Sequence, residues 1–167
     1  AALKAMIRQK ALETKGVIVT PELMPKIIKF LGQQKLLACD IETTGFNKRL
    51  DRILCLGISW AKNQVAIFPE PLMGDPRLKA LLEREDIGFI WHNGKFDTGF
   101  LIAKGINARL TEDTMLLHYA IDETRGGHDL KTLASDLLGA DDYDGEMKAK
   151  YITGRKGATS TGCRPAS

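Results

Sequence analysis

Leu36-Leu37-Ala38-Cys39-Asp40-Ile41-Glu42-Thr43-Thr44-Gly45-Phe46 joins an apolar run to a pair of carboxylates. Four small or apolar residues run into two carboxylates spaced i, i+2, and then into a turn-prone Thr-Thr-Gly. On a strand, alternation puts Asp40 and Glu42 on one face and Ile41 on the other. Two carboxylates side by side repel unless positive charge lies between them, and a divalent cation is the usual solution. The Asp-x-Glu spacing alone says little, because a chain of this length contains it about once by chance. Solvated carboxylates at a strand end are the competing reading. The apolar strand before the pair and the turn after it are what favour a site.

Upstream, residues 1–15 alternate basic and apolar side chains without a continuous apolar core or cleavage site, which reads as an N-terminal extension and not a signal peptide. Residues 16–20 are β-branched and predict a short strand. Thr20-Pro21-Glu22 predicts a helix start, Thr20 as N-cap and Pro21 at the first helical position, with Gly32 as the stop. Downstream, residues 53–60 and 65–68 predict two further strands, Gly57 marking a weak point or bulge. Three strands on short turns form an antiparallel meander. Asp75-Pro76 opens a second helix, and residues 87–92 predict a fourth strand buried on both faces. Helices follow over 95–102, 113–120 and 128–138, the last ending at Gly139, with a fifth short strand at 108–110. Residues 151–167 lack apolar periodicity and read as a disordered tail, leaving 16–150 as the domain. The order predicts an α/β layered fold, a mixed sheet flanked by helices.

Composition fits one globular domain: 167 residues, 44% hydrophobic, 27% charged. A net charge of +3 is compatible with nucleic acid without arguing for it. No apolar run is long enough to span a bilayer, so the reading is a soluble protein with no membrane partner. Cys39, Cys55 and Cys163 have no paired spacing and read as buried free thiols of a reducing compartment.

A third carboxylate, Asp97, follows the fourth strand. In α/β sheets ligands bind at the carboxyl ends of strands, so both carboxylate sites belong to the same kind of edge. An Asp in the first turn of a helix also has a plain explanation in the helix dipole.

Asp40-Ile41-Glu42-Thr43-Thr44-Gly45, then His92-Asn93-Gly94-Lys95-Phe96-Asp97 and Leu101, resemble the first two motifs of the DEDD 3′-5′ exonucleases. Glu112-Asp113-Thr114-Met115-Leu116 and His128-Asp129-Leu130-Lys131-Thr132-Leu133-Ala134 resemble the proofreading domain of DNA polymerase I-type (family A) enzymes, with ribonuclease D close behind. The resemblance covers residues 16–139 and implies a ribonuclease H-like fold. It implies that Asp40, Glu42 and Asp97 are catalytic and bind two Mg²⁺ (or Mn²⁺) ions, Asp40 bridging. Two such ions about 3.5–4 Å apart can generate hydroxide and stabilise the leaving 3′ oxygen. No protein nucleophile is then needed, in keeping with the lack of a Ser/His/Asp or Cys/His set. Thr43, Thr44, Phe46 and Asn93 would meet the terminal nucleotides, Phe46 by stacking; an ordinary core or rim aromatic is the competing reading of Phe46. Asp113 is a further candidate contact, more readily a helix cap than a metal ligand. The implied partners are a single-stranded DNA 3′ end and a polymerase domain or subunit. The implied location is the cytoplasm or a phage or organellar replication compartment.

The family's third motif is a late Asp preceded by Tyr four residues earlier or His five earlier. Tyr119 is followed at that distance by Glu123, Tyr143 by Met147 and Tyr151 by Arg155; His118 leads to Glu123 and His128 to Leu133. The expectation is a domain that stops or is altered before that motif, without a polymerase domain, and with reduced activity. Glu123, Asp141, Asp142 and Asp144 are the carboxylates placed to substitute. Two alternatives stand beside the proofreading exonuclease: a non-catalytic module that binds single strands or a partner, and a ribonuclease D-like exoribonuclease.

Overall fold

Alternation in the Asp40 strand sets the layering of the whole domain. In the computed structural model, which describes residues 15–124 and 126–140, the elements are β1 (Lys15–Ile18), α1 (Met24–Leu31), β2 (Leu36–Thr43), β3 (Ile53–Ala61), β4 (Gln64–Pro69), a 3₁₀ turn (Glu70–Leu72), α2 (Pro76–Leu82), β5 (Gly88–Trp91), α3 (Gly94–Ala103), β6 (Glu112–Asp113), α4 (Thr114–Ile121) and α5 (Leu130–Leu138). The expected tail, and the N-terminal extension apart from Lys15, lie outside the described residues. Lys15 itself opens β1.

The sheet runs β1-β4-β3-β2-β5-β6. β2, β3 and β4 form the expected antiparallel meander, and β5 joins the other side of β2 in parallel. Along β2, Leu37, Cys39 and Ile41 turn inward while Ala38, Asp40 and Glu42 face out. Leu56 and Ile58 of β3, Phe68 of β4, and Phe89 and Trp91 of β5 continue the inward face. Met24 and Leu31 of α1, Leu78 and Leu82 of α2, and Phe100 and Leu101 of α3 close it into one core. Each such side chain, fully buried, contributes about 1.5–3 kcal/mol.

Several local expectations are corrected. Thr20 starts a turn, its hydroxyl accepting from Leu23 N at 3.4 Å, and α1 begins only at Met24. Pro25, not Pro21, occupies the first helical turn. The bulge is not at Gly57, which pairs in register with Asp40. Against β2 it falls nearer the start of β3: Glu42 opposes Cys55 but Thr43 opposes Ile53, so Leu54 is the extra residue and stands 43% exposed. That insertion reverses the strand's parity and lets Ile53 join the core. β5 is buried on one face only, because Gly88 and Ile90 lie on the less covered side of the sheet. The last strand is Glu112–Asp113 and not 108–110, where Arg109 N donates to Leu82 O in a connecting loop. α5 starts at Leu130, not His128, whose ring is engaged with the preceding loop. Cys55 is only half-buried, while Cys39 is buried; both are free.

A second unit begins at Lys131. Within it the helix ends at Gly139, at φ 62°, with Gly139 N donating to Ser135 O and Ala140 N to Ala134 O. This is the glycine-dependent termination of a helix. Among the described residues no helix is long and apolar enough to cross a membrane.

The turn from β5 into α3 tolerates no side chain at Gly94, where an added Cβ would lie 2.5 Å from the Trp91 Cβ and 2.7 Å from Leu110 Cδ1. We expect Gly94→Ala to destabilise the domain by about 1–3 kcal/mol in urea titration, the range of an overpacked interior. Gly74→Ala, with open space around it, should change stability by less than about 0.5 kcal/mol.

Candidate active site

The parallel pairing of β5 with β2 stops at Ala38 opposite Ile90, so the β2 edge beyond it has no strand partner on that side. The amide of Ile41 finds a carboxylate there instead: it donates to Asp97 Oδ1 at 3.1 Å. Ile41 lies between Asp40 and Glu42, and this one bond brings a residue 56 positions away to their strand end.

Asp97 is delivered by a braced turn. Asn93 adopts the left-handed conformation at φ 59°, which Asn accepts more readily than most residues. Asp113 holds that turn: its Oδ1 accepts from Asn93 N at 3.1 Å and its Oδ2 from Gly94 N at 2.8 Å. The same Oδ1 caps α4 through Met115 N and Leu116 N. With both oxygens on backbone amides and 7% exposure, Asp113 braces the turn before α3 and caps α4.

Burial dominates the electrostatics. Asp97, 4% exposed, has its carboxyl pushed up to about 6, chiefly by burial. The Ile41 amide opposes the rise, and the charges of Asp40 and Asp113 add to it. Asp40 keeps an exposed surface, yet the surrounding walls raise its carboxyl above the ordinary value, against the opposing influence of His92. Cys39 and Cys55 are raised as well, by burial first, so neither thiol is an activated nucleophile.

Asp40 and Glu42 line a pocket of about 470 Å³ on the outward face, with Gly57, Ile90, His92 and Thr114 among the other walls. His92 is a residue that sequence reading undervalued, naming it only as the start of the second motif. Its Nδ1 lies 2.9 Å from Thr114 Oγ1, and that hydroxyl donates to Trp91 O at 3.2 Å. In the neutral ring Nδ1–H therefore donates to the hydroxyl, and Nε2 carries the lone pair. Nε2 is buried and is a side-chain atom without a hydrogen-bond partner among the described residues. Its place at the carboxyl end of a strand, before an Asn-Gly turn, was the available signal.

The loop after β2 is braced by the threonines. Thr43 Oγ1 donates to Gly45 O at 2.7 Å, and Thr44 Oγ1 donates to Asp51 Oδ1 at 3.1 Å. A Cβ at Gly45 would stand 2.6 Å from Asp51 Oδ2, so this approach needs glycine. Phe46 is 89% exposed and touches Phe96 only edge-on, with ring centroids 6.1 Å apart; it is not a core aromatic. Glu123 is exposed beyond α4, and Asp141, Asp142 and Asp144 lie outside the described residues.

Among the described residues, no three His, Cys, Asp or Glu side chains already close around a point that could hold a metal ion. The donor set is nonetheless hard: two outward carboxylates with a third hydrogen-bonded between them. Mg²⁺ is commonly held by one or two carboxylates together with waters and substrate phosphates. An incomplete cage of this type fits such an ion.

A 3′-5′ exonuclease family model matches residues 16–167. The chain belongs to the 3′-5′ exonuclease family of family A DNA polymerases. It is 30% identical over 142 residues to a DNA polymerase of Escherichia phage T5, covering 78% of this chain and 17% of that protein. With DNA polymerase I of Aquifex aeolicus it shares 34% identity over 136 residues, 81% of this chain and 21% of the relative. The exonuclease domain thus spans about a fifth of the length of these curated relatives. Brucella melitensis NrnC, solved with bound Mg²⁺, superposes at a TM-score of 0.61 with 25% identity, covering 75% of this chain and 61% of NrnC; it has also been solved bound to pGG. Escherichia coli RNase D shares the fold at a TM-score of 0.69 and 14% identity, over 80% of this chain and 36% of RNase D. The ribonuclease H-like architecture that the family resemblance implies is that of these neighbours.

The buried Asp97 sets a pH dependence. Its folded carboxyl, at about 6 against an ordinary 3.8, binds more protons than the unfolded one between those values. Stability from this group is therefore greatest below pH 4 and declines as pH rises to about 6, by at most about 3 kcal/mol. In EDTA, Asp97→Asn, which keeps the acceptor for Ile41 N, should be more stable than the parent at pH 7.5. The two should converge at pH 4. Parallel denaturation series at the two pH values check this, and equal stability at pH 7.5 would contradict it.

Proposed function

We propose that this exonuclease domain hydrolyses nucleotides from the 3′ end of single-stranded DNA, a proofreading-type activity. The observation that carries the reading is the Ile41 amide held by Asp97, which gathers three carboxylates at one strand end. Asp40, Glu42 and Asp97 are the residues we assign to two divalent ions, Mg²⁺ or Mn²⁺. When bound, such ions supply Lewis acidity toward the scissile phosphate and the attacking water. Asp97, fixed by the Ile41 amide, sets where the carboxylates stand, and the pocket beside Asp40 and Glu42 gives the terminal residue a partly enclosed seat.

Exposed Phe46 is placed to stack on a base, a contact indifferent to sequence because every base has a π-face. Thr43 and Thr44 present the braced loop, and Asn93 holds the turn that delivers Asp97. We infer a domain that works beside a polymerase domain or subunit in the cytoplasm.

A 3′-labelled and a 5′-labelled single strand, incubated with Mg²⁺ or Mn²⁺ and run on a sequencing gel, test the reading. We expect stepwise shortening from the 3′ end, abolished by EDTA and reduced at least about 100-fold by Asp40→Ala or Glu42→Ala, the scale of losing a transition-state electrostatic contact. Phe46→Ala should raise KM more than it lowers kcat. No shortening, with binding retained in Asp40→Ala, would instead identify a non-catalytic single-strand-binding module. A ribonuclease D-like exoribonuclease is the other outcome of the same assay, established by faster degradation of RNA than of DNA.

A further inference from the structure

Away from the carboxylates, two imidazoles meet nitrogen to nitrogen. His118, on the last turn of α4, and His128, ten residues on, have their Nδ1 atoms 2.8 Å apart. Nothing in the exonuclease reading uses this contact. We propose that His118 and His128 form a metal site of their own, taking a borderline transition-metal ion such as Zn²⁺, Ni²⁺ or Cu²⁺ between the two Nδ1 atoms.

The geometry carries the assignment. Nitrogens about 2.0–2.1 Å from one ion, at ligand angles of about 90–110°, stand about 2.9–3.4 Å apart. The observed pair needs to open by only a few tenths of an ångström. The tautomer is also set. His128 Nε2 lies 2.7 Å from Thr124 O, and a carbonyl can only accept, so Nε2 carries the hydrogen and Nδ1 presents its lone pair to His118. A ligating histidine is held in this way, its second ring nitrogen donating to a backbone carbonyl that fixes the ring. Tyr119 adds an edge contact to the His128 ring at 5.3 Å, and the two imidazoles are tilted by 60° with centroids 5.0 Å apart.

The surroundings suit a cation. Asp122, tied to Thr124 through its backbone N and hydroxyl, has its carboxyl lowered first by those hydrogen bonds and further by both histidines, which places a negative charge beside the pair. Both rings are half-buried, so an ion can enter and take waters in its remaining positions. Among the described residues no third His, Cys, Asp or Glu completes the site, which makes it one of modest affinity. Imidazole donors rank the ions Cu²⁺ above Ni²⁺ and Zn²⁺, with Mg²⁺ excluded as too hard. Bound there, an ion would clip the end of α4 to the start of the segment leading into α5, replacing the single proton that the two nitrogens otherwise share.

EDTA-stripped protein titrated with Zn²⁺ by calorimetry, and loaded with one equivalent of Cu²⁺ for electron paramagnetic resonance, tests the site. We expect a Zn²⁺ site that is weakened at least tenfold by His118→Gln and by His128→Gln and that persists with unchanged affinity in Asp40→Ala. The Cu²⁺ spectrum should show two coupled imidazole nitrogens in the parent and one in either His variant. Zn²⁺ should raise the thermal midpoint of the parent and of neither variant. A parent spectrum without nitrogen coupling, which needs no variant to fold, would overturn the proposal. So would Zn²⁺ binding unchanged in both His variants, and the contact would then be a hydrogen bond alone.

Discussion

One backbone amide, that of Ile41, ties the two halves of this domain together. Strand pairing runs out at Ala38 on one side of β2, and an amide left there would be an unpaired donor against the core. Asp97 satisfies it, and in doing so becomes a buried carboxylate that burial and the neighbouring Asp40 both resist charging. Charging Asp97 in that position is costly. The same contact therefore closes the fold and primes the strand end, and the turn behind it, held by Asp113 and free of any side chain at Gly94, exists to keep Asp97 at that distance.

The sheet is asymmetric in the way this demands. α1, α2 and α3 seal the inward face with large aliphatic and aromatic side chains. The opposite face carries smaller residues, Ala38, Gly57 and Ser59, around an open pocket whose far wall is His92. Small residues leave room, and the carboxylates stand at the edge of that room. A rigid packed layer beneath and a hollow above is an effective way to hold charged groups at fixed spacing while leaving them reachable.

Much of this was legible in the sequence, and the failures share a cause. Period-2 alternation placed Asp40, Ile41 and Glu42 correctly, and short turns specified the meander, because both are local properties. The position of the Glu42/Thr43 bulge was not legible: it depends on which β3 residue is skipped, and Leu54 carries no composition signal for that. Thr20-Pro21 has the letters of a helix start, but a turn forms there, with Leu23 N and Met24 N donating to Thr20 O, and the helix begins at Met24. β5 looked buried on both faces because its residues are apolar throughout; that Ile90 faces a pocket is a fact about layers above the sheet. His92 was missed for the same reason, since an orphaned ring nitrogen is visible only after Thr114 arrives from elsewhere in the chain.

The alternation in β2 has a consequence for how this chain can vary. Its inward set, Leu37, Cys39 and Ile41, and its outward set, Ala38, Asp40 and Glu42, are interleaved residue by residue. Point substitutions can address either set separately. A one-residue insertion or deletion between Leu36 and Cys39 exchanges them wholesale, driving carboxylates into the core and isoleucine into the pocket. The segment is thus tolerant of spelling changes on one side at a time but intolerant of any change of reading length, and related chains should preserve its spacing more strictly than its letters.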